Sequence, residues 1–288
     1  MYELKEFHDQ LRQRLLPCAE TSEATLIANW LLEHYLDVRQ VDILLNKKVE
    51  IAAEAQQQLR QAVDRLNCQE PLQYVLGEAY FYGRVFTVSP AVLIPRRETE
   101  ELVAWVVEEN KDKKEKIRVL DIGTGSGCIA VTLSQELCQP LVYALDSSED
   151  ALRVATENAL LHGASVTFWK HDILCDAPPP TKPFDIIVSN PPYVLRKEAQ
   201  SMSERVIMYE PSEALFVDDP HPLLFYERIV YLCQHEKWLA TGGRIYWEIN
   251  EVMGDKLLQL LYENRFEEVC LRKDMQGKHR FITGKLVE

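Results

Sequence analysis

The stretch Phe184–Tyr193, F-D-I-I-V-S-N-P-P-Y, begins as a strand and stops abruptly. Its β-branched centre, 186–188, is typical of a strand that is covered on both faces of a sheet. Pro191 and Pro192 cannot continue a backbone ladder because they have no N–H, and Pro191 disfavours a helical conformation at Asn190. The stretch therefore predicts a buried strand that ends by holding a polar side chain, at the edge where open α/β sheets bind their ligands. A strand followed by an ordinary Asn-Pro turn is the alternative interpretation.

The composition limits the class of protein. The chain has 288 residues, 47% of them hydrophobic, which is enough for a packed core in one large domain or two ordinary ones. Its seven cysteines are scattered without a C-x-x-C pair, a pattern typical of reduced thiols in a cytoplasmic protein and not of a disulfide frame or a zinc site. No apolar run approaches the length of a membrane span, and the N-terminus is charged and unlike a signal sequence. The formal net charge of −13 disfavours a nucleic-acid partner bound through its phosphates.

Residues 1–70 carry only helical patterns and are predicted to form a small N-terminal bundle, either a partner-binding module or a stabilising cap. A first helix is indicated by apolar residues at helical spacing, from Leu4 to Leu15. A second helix is predicted to start near Thr21, with a polar cap there, and to bury one face formed by Leu26, Ile27, Trp30, Leu31 and Tyr35.

Residues 71–92 are predicted to be a β-hairpin linker, because the aromatic and β-branched run 80–88 is interrupted by the turn residue Gly83. Residues 93–288 alternate strand and helix patterns, which predicts a mainly parallel, doubly wound α/β sheet. One helix is predicted over Leu223–Leu239, and Pro178–Pro180 is predicted to be a stiff surface loop. No helix separates the last two strands, so we expect a closing hairpin and one antiparallel strand. The predicted strands are 117–122, 141–145, 165–170, 184–189, 244–249, 269–272 and 280–287.

A glycine-rich loop, V-L-D-I-G-T-G-S-G at Val119–Gly127, follows the first strand of this sheet. Its G-x-G-x-G spacing differs from the G-x-G-x-x-G of dinucleotide sites and fits a cofactor without phosphates. Asp146 ends the second strand, where a carboxylate binds ribose hydroxyls. Asp172 ends the third strand, where it is expected to meet an adenine amine, with Ile173 against the base. Acids at the ends of two successive strands make a cofactor site a better interpretation than a plain turn.

The loop and these acids resemble a class I S-adenosylmethionine-dependent methyltransferase. The resemblance implies a Rossmann-like sheet of seven strands, one of them antiparallel, in agreement with the closing hairpin. It also implies S-adenosyl-L-methionine as cofactor, S-adenosyl-L-homocysteine as product, and no metal. Asp121 is then expected near the methionine moiety, with Asn190 also bordering the cofactor. The loop residues expected to wrap the cofactor are Gly123, Thr124, Gly125, Ser126 and Gly127.

The Asn190–Tyr193 motif, N-P-P-Y, resembles the motif with which such enzymes methylate planar nitrogens. An amide nitrogen is a weak nucleophile because its lone pair is conjugated, so the protein has to position it and exclude water. The Asn190 side-chain oxygen and the Pro191 carbonyl can each accept one of its N–H groups and stabilise the positive charge that grows there. Pro192 belongs to the same substrate-binding turn, and Tyr193 can pack on the flat group.

The order of motifs along nearly the whole chain is similar to that of the HemK/PrmC family. After the N-terminal bundle come E-P-L-Q-Y-V-L-G at 70–77, Ile94-Pro95-Arg96, the glycine loop, N-P-P-Y, and Y-E-P-S-E-A-L at 209–215. This family methylates the side-chain amide nitrogen (N5) of the glutamine in the Gly-Gly-Gln loop of bacterial class I peptide-chain release factors. The resemblance implies that the bundle helps to hold the release factor. Arg97 and Glu98 stand where the family usually has Pro and Asp, which affects local loop geometry.

Two other functions stay open from the residues. An adenine or guanine amino-group methyltransferase acting on nucleic acid would use the same N-P-P-Y site, although the negative charge disfavours direct nucleic-acid binding. A non-catalytic binding protein with the same fold would fail to bind S-adenosylmethionine. Neither function involves a membrane.

Overall fold

The computed structural model describes residues 1–113, 115–175 and 182–288, so the loop predicted at Pro178–Pro180 lies outside the described residues. The described chain divides into two units. The first comprises Met1–Glu78 together with Ser203–Tyr209, and the second comprises Ala79–Met202 together with Glu210–Glu288. None of the described helices is both long enough and apolar enough to cross a membrane.

The first unit is helical, as predicted. Up to residue 77 its elements are β1 (Tyr2–Glu3), α1 (Leu4–Leu15), α2 (Thr21–Leu36), α3 (Gln40–Leu44), β2 (Lys48–Val49), α4 (Ala53–Asn67) and α5 (Leu72–Leu76). Helix α2 packs against α1 and α4.

The face that α2 buries differs from the predicted one. Leu26 and Trp30 are exposed, with 54% and 46% of their surface accessible, and the buried stripe contains Ala24 and Ala28 beside Ile27, Leu31 and Leu32. The small alanine side chains allow the neighbouring helices to approach closely, so the stripe is centred away from the bulkier residues. The predicted polar cap is also absent, since α2 begins after Glu20 without a side-chain hydrogen bond.

The segment Ser203–Tyr209 belongs to this helical unit although it lies far along the chain. Arg205 donates hydrogen bonds to Gln69 Oε1 at 2.9 Å, to Glu23 Oε1 at 3.2 Å and to the Cys18 carbonyl. The Tyr209 hydroxyl donates to the Cys68 carbonyl at 2.6 Å. These bonds satisfy carbonyl groups where α1 and α4 end.

The second unit contains the predicted α/β sheet. Its elements begin with the hairpin strands β3 (Glu78–Phe81) and β4 (Arg84–Thr87), then α6 (Arg97–Asn110), β5 (Arg118–Ile122), α7 (Cys128–Glu136), β6 (Leu141–Asp146), α8 (Glu149–Leu161), β7 (Val166–Lys170) and β8 (Phe184–Ser189). After β8 come β9 (Val194–Leu195), a 3-10 helix (Arg196–Ser201), α9 (Glu204–Tyr209, in the first unit), α10 (Ser212–Leu215), β10 (Phe216–Val217), α11 (Leu224–His235), β11 (Leu239–Glu248), α12 (Gly254–Glu263), β12 (Phe266–Lys273) and β13 (His279–Leu286).

Within the described ranges the main sheet has seven strands in the order β12-β13-β11-β8-β5-β6-β7. Strands β11, β8, β5, β6 and β7 pair in parallel, whereas β13 is antiparallel to both β11 and β12. The predicted fold class, a doubly wound sheet with one antiparallel strand made by a closing hairpin, is therefore confirmed.

Strand β8 is covered on both faces, as its β-branched sequence predicts. Ile186 and Val188 are fully buried on the side covered by α6 and α7, and Ile187 is fully buried on the side covered by α11 and α12. Such continuous burial is typical of a central parallel strand. It fixes the position at which β8 ends.

The hairpin β3–β4 turns at Tyr82 and Gly83, whose φ angles are 49° and 72°. Two successive left-handed residues form the tight turn that matches the twist of a hairpin. Asn158 of α8, which is fully buried, accepts from the Thr87 N–H at 2.7 Å and donates to the Thr87 and Ser126 carbonyls, both at 2.9 Å. One side chain thus ties the hairpin to the glycine loop.

Candidate active site

The predicted site residues follow the carboxyl ends of four neighbouring strands. Asn190 follows β8, the glycine loop follows β5, Asp146 ends β6, and Asp172 lies two residues beyond β7. The chain runs from β5 outward to β6 and β7 and then returns to β8 on the other side of β5. This reversal is the topological switch point at which doubly wound sheets bind their ligands.

The glycine loop presents an open surface to this edge. Gly123 and Gly125 have φ angles of 74° and 54°, a conformation that favours glycine, and a Cβ atom added to either would meet no described atom within 4 Å. Gly127 is different, because a Cβ there would lie 3.0 Å from the Ala155 Cβ of α8. The first two glycines leave room for a ligand, and the third allows the loop to approach α8.

Asp121, at the end of β5, is completely buried beneath the loop. Its Oδ2 accepts a hydrogen bond from the Thr124 hydroxyl at 2.6 Å, and its Oδ1 has no hydrogen-bond partner among the described residues. Burial raises the pKa of Asp121 to about 7. The buried Ser126 hydroxyl also has no partner within the described chain. Asp121 therefore holds the glycine loop from beneath, through the Thr124 hydroxyl.

Asp146 holds the glycine loop and α8 in place. Its Oδ2 accepts from the Gly125 N–H and its Oδ1 from the Ser148 N–H, both at 2.9 Å. Burial raises the pKa of this carboxyl. A carboxylate has further acceptor sites, so ribose hydroxyls can bind in addition to these backbone groups.

The third strand end carries Asp172 and Ile173. Asp172 is half-buried and accepts from the Leu174 N–H at 2.9 Å, while Ile173 is buried. The His171 N–H donates to the Asp146 carbonyl at 2.9 Å, which joins the ends of β6 and β7. The structure therefore gives an acid beside an apolar side chain next to Asp146.

Asn190 lies immediately beyond β8 and is half-buried. Its side-chain nitrogen donates to the Thr99 hydroxyl at 3.1 Å. Ser189 before it donates to the Ile122 carbonyl at 2.7 Å, which fixes the end of β8 to the start of the glycine loop. Pro191 is buried, and Pro192 and Tyr193 are half-buried. The Tyr193 hydroxyl donates to Glu248 Oε1 at 2.7 Å.

Two residues of this network, Thr99 and Glu248, were not predicted. Glu248 is buried at the end of β11, and its Oε2 accepts from the Thr99 hydroxyl at 2.7 Å. It is a further acid at the carboxyl end of a parallel strand, so the pattern that identified Asp146 could have found it. Thr99 gave no such signal, because its partner lies 149 residues away in the sequence.

The residues of the site fit S-adenosylmethionine. The open face above Gly123 and Gly125 offers space for the cofactor, and the half-buried Asp146 keeps acceptor sites for its hydroxyl groups. In the part of the chain that the structure describes, no group of three or more His, Cys, Asp or Glu side chains could hold a metal ion.

Known families match both parts of the chain. Residues 6–77 match the PrmC N-terminal domain, and residues 101–217 match the methyltransferase small domain. The release factor glutamine methyltransferase of Flavobacterium psychrophilum is 38% identical over 97% of this chain and 98% of its own length. That of Bacteroides thetaiotaomicron is 41% identical over 95% of this chain and 97% of its own. A solved structure, the release factor-specific protein-(glutamine-N5) methyltransferase of Alicyclobacillus acidocaldarius, covers 70% of this chain and 100% of its own with 28% identity and a TM-score of 0.42.

Taken with the strand order and the glycine loop at the switch point, the two matching domain families and the curated relatives define a class I S-adenosylmethionine-dependent methyltransferase. More narrowly, the chain belongs to the release factor glutamine methyltransferase family, so the resemblance to HemK/PrmC is confirmed.

Proposed function

We propose that the protein transfers a methyl group from S-adenosyl-L-methionine to the side-chain amide nitrogen, N5, of the Gly-Gly-Gln glutamine in bacterial class I release factors. The observation that carries this proposal is the engagement of the Asn190 side-chain nitrogen by Thr99. Because the nitrogen is engaged, the Asn190 side-chain oxygen is left as an acceptor beside the glycine loop. The N–H of the glutamine amide requires an acceptor at this place.

For the cofactor, we propose that the loop Gly123–Gly127 surrounds the methionine part above Asp121. Asp146 would bind the ribose hydroxyls, Asp172 the adenine amine, and Ile173 the adenine face, with Asn190 at the border between cofactor and substrate. When bound, S-adenosylmethionine supplies a methyl group on a positively charged sulfur, and its product is S-adenosyl-L-homocysteine. No metal is required for this chemistry.

Asn190 and Pro191 have the central roles in the proposed mechanism. The Asn190 side-chain oxygen and the Pro191 carbonyl each accept one N–H of the glutamine amide, which orients the nitrogen and stabilises the positive charge that develops on it. Pro192 keeps the turn rigid, and Tyr193 packs on the planar amide. An asparagine suits this position because it offers an acceptor without burying a full charge. No base is required beforehand, since the nitrogen becomes acidic once it is methylated.

For the protein substrate, we propose that the helical domain of residues 1–70 helps to hold the release factor, that residues 71–92, which contain α5 and the β3–β4 hairpin, are the linker, and that residues 93–288 carry out catalysis. The match of residues 6–77 to the PrmC N-terminal domain supports this division. Release factors act at the ribosome, so we expect the protein in the cytoplasm, acting without direct contact with nucleic acid or membrane.

The test is methyl transfer to a defined glutamine. The protein is incubated with methyl-labelled S-adenosylmethionine and a bacterial class I release factor, beside a release factor whose Gly-Gly-Gln glutamine is alanine. Mass spectrometry of the loop peptide is expected to find one methyl group on the glutamine and none in the alanine variant. Methylation of added DNA or RNA in place of the release factor would refute the proposal and favour an amino-group methyltransferase acting on nucleic acid.

The same assay tests the role of Asn190. Asn190→Ala is expected to bind S-adenosylmethionine within about threefold of the wild type and to lose transfer by a factor of about 100 or more, because an acceptor that acts on developing charge is removed. Calorimetry gives the cofactor affinity, and the labelled peptide gives the rate. Transfer at the wild-type rate would contradict the assigned role.

A further inference from the structure

The proton positions around Asn190 follow from the hydrogen-bond partners that surround it. Thr99 Oγ1 lies 2.7 Å from Glu248 Oε2 and 3.1 Å from Asn190 Nδ2. A hydroxyl has one proton, and an ionised carboxylate can only accept. While Glu248 is ionised, the Thr99 proton therefore points to Glu248, and Thr99 can only accept from Asn190. This arrangement turns the amide nitrogen of Asn190 toward Thr99, so the amide oxygen points the other way and can serve as an acceptor.

While Glu248 is ionised, the same count of protons excludes the opposite orientation of Asn190. With the amide turned over, the Asn190 oxygen would face a Thr99 oxygen whose only proton is already donated to Glu248. The Asn190 NH2 group would then face the N–H of the substrate amide. Both groups are donors, so no hydrogen bond could form between them. The ionised Glu248 thus determines, through Thr99, whether the oxygen or the nitrogen of the Asn190 amide faces the substrate.

We propose that Thr99 and Glu248 are positioning residues that hold the Asn190 side-chain oxygen toward the substrate amide. This inference rests on the proposed function of Asn190 and adds two residues, from α6 and β11, that act through it without touching the substrate.

Glu248 also holds the other end of the N-P-P-Y motif. Its Oε1 accepts from the Tyr193 hydroxyl at 2.7 Å, and its backbone carbonyl accepts from the Tyr226 hydroxyl at 2.9 Å. One buried carboxylate therefore fixes both Asn190, through Thr99, and Tyr193 directly. Both of its oxygens are used in this way, so its position depends on the two hydroxyl donors.

The charge of Glu248 has several neighbours. Burial raises the pKa of this carboxyl, and the hydroxyls of Thr99 and Tyr193 and the charge of Arg280 lower it, while Glu98 raises it further. Tyr226 has its pKa raised well above the usual value and stays neutral. A protonated Glu248 could donate to Thr99, which would release the Thr99 proton toward Asn190. Thr99 could then donate to the Asn190 oxygen, so both orientations of the Asn190 amide would be possible.

The first test removes only the hydroxyl. Thr99→Val keeps the shape of the side chain and is expected to lower kcat for release-factor methylation by about tenfold, with the KM for the release factor and the affinity for S-adenosylmethionine unchanged within about twofold. Thr99→Ser restores the hydroxyl and is expected to recover most of kcat. Thr132→Val is the matched control, since Thr132 is equally buried on α7 and its hydroxyl has no partner among the described residues.

The second test changes the proton on the carboxyl. Wild-type kcat is expected to fall as the pH falls through the pKa of Glu248, which burial raises from the usual value of a glutamate. Glu248→Gln keeps the shape but can donate to Thr99, so its kcat is expected to be about tenfold lower and to lack this acidic limb. Circular dichroism and cofactor calorimetry on each variant separate a loss of folding from a loss of positioning.

The outcomes separate this inference from the function on which it rests. If wild-type protein does not methylate the Gly-Gly-Gln glutamine, the proposed function fails. If the wild type does and Thr99→Val and Glu248→Gln have wild-type kcat and pH profiles, the positioning role is wrong while the proposed function stands. A kcat loss in Thr99→Val that Thr99→Ser does not recover also overturns the inference, because it would show that the hydroxyl is not what matters.

Discussion

Among the single residues of the site, Asp146 combines a structural and a proposed ligand-binding role. Its two oxygens accept from Gly125 of the glycine loop and Ser148 of α8. We expect Asp146→Ala to weaken S-adenosylmethionine binding by tenfold or more, because hydrogen bonds to a charged group contribute about 1.5–3 kcal/mol each. Isothermal titration calorimetry measures the change. Asp150→Ala is the control, since Asp150 is exposed nearby on α8, and equal affinities of the two variants would count against the ribose role.

The buried carboxyl of Asp121 makes the stability of the protein depend on pH. Burial raises its pKa to about 7, above that of the same group in the unfolded chain. The unfolded chain therefore loses this proton at lower pH, so the free energy of unfolding falls as the pH rises from about 4 to about 7.

Asp121→Asn keeps an acceptor for the Thr124 hydroxyl but cannot ionise. We expect its free energy of unfolding, measured with urea at pH 5 and pH 8 without cofactor, to decrease less than that of the wild type, with a difference of the order of 2 kcal/mol. Parallel pH profiles for the two proteins would show that Asp121 does not titrate in this way.

On the scale of secondary-structure elements, the approach of the glycine loop to α8 depends on Gly127. Its φ angle is 79°, and an added Cβ would lie 3.0 Å from the Ala155 Cβ and 3.1 Å from its Cα. Gly163, just after α8, also has a positive φ, 62°, but has open space around it. Both glycines therefore adopt a left-handed conformation, but only Gly127 lies against a neighbouring residue, Ala155.

We expect both Gly127→Ala and Gly163→Ala to lower the free energy of unfolding by about 1–2 kcal/mol, because of the left-handed conformation. Gly127→Ala is expected to cost about 1 kcal/mol more and to weaken cofactor binding, since the loop or α8 has to move. Urea unfolding and cofactor calorimetry of the two variants measure these effects. Equal losses of stability in the two variants would mean that the loop or α8 moves away from the added methyl group at no cost in free energy.

The same scale shows which elements the sequence could predict. Strand β8 was predicted at Phe184–Ser189, as observed, because its β-branched run is bounded by prolines. The helix predicted over Leu223–Leu239 ends at His235, and Leu239 begins β11. Lys237 adopts a left-handed φ of 54° there, and no glycine or proline marked that turn in the sequence.

The residues of the site also differ in whether a local sequence signal marks them. Residues at strand ends, such as Asp146 and Asn190, were predictable because strand ends and glycine or proline punctuation are local signals. Contacts such as Thr99 with Glu248 depend on how α6 packs on the sheet, which no local pattern records.

For the whole molecule, the net charge of −13 bears on the choice of substrate. Binding to nucleic acid depends largely on neutralising phosphates with basic side chains. We expect excess tRNA or duplex DNA at physiological salt to leave the rate of release-factor methylation unchanged, and neither to be retarded by the protein in a gel-shift assay. Competitive inhibition by tRNA or DNA would indicate a local basic surface and favour the nucleic-acid alternative.

The membership of Ser203–Tyr209 in the helical unit has a consequence for how this protein can be divided. A gene fragment that encodes residues 1–78 omits Arg205 and Tyr209, which donate to the carbonyls of Cys18 and Cys68 in that unit. Because the helical unit consists of two separate chain segments, a single crossover between two genes cannot exchange the whole unit. A chimera with the helical unit of a relative requires two exchanged segments, the second of which lies between the N-P-P-Y motif and β11.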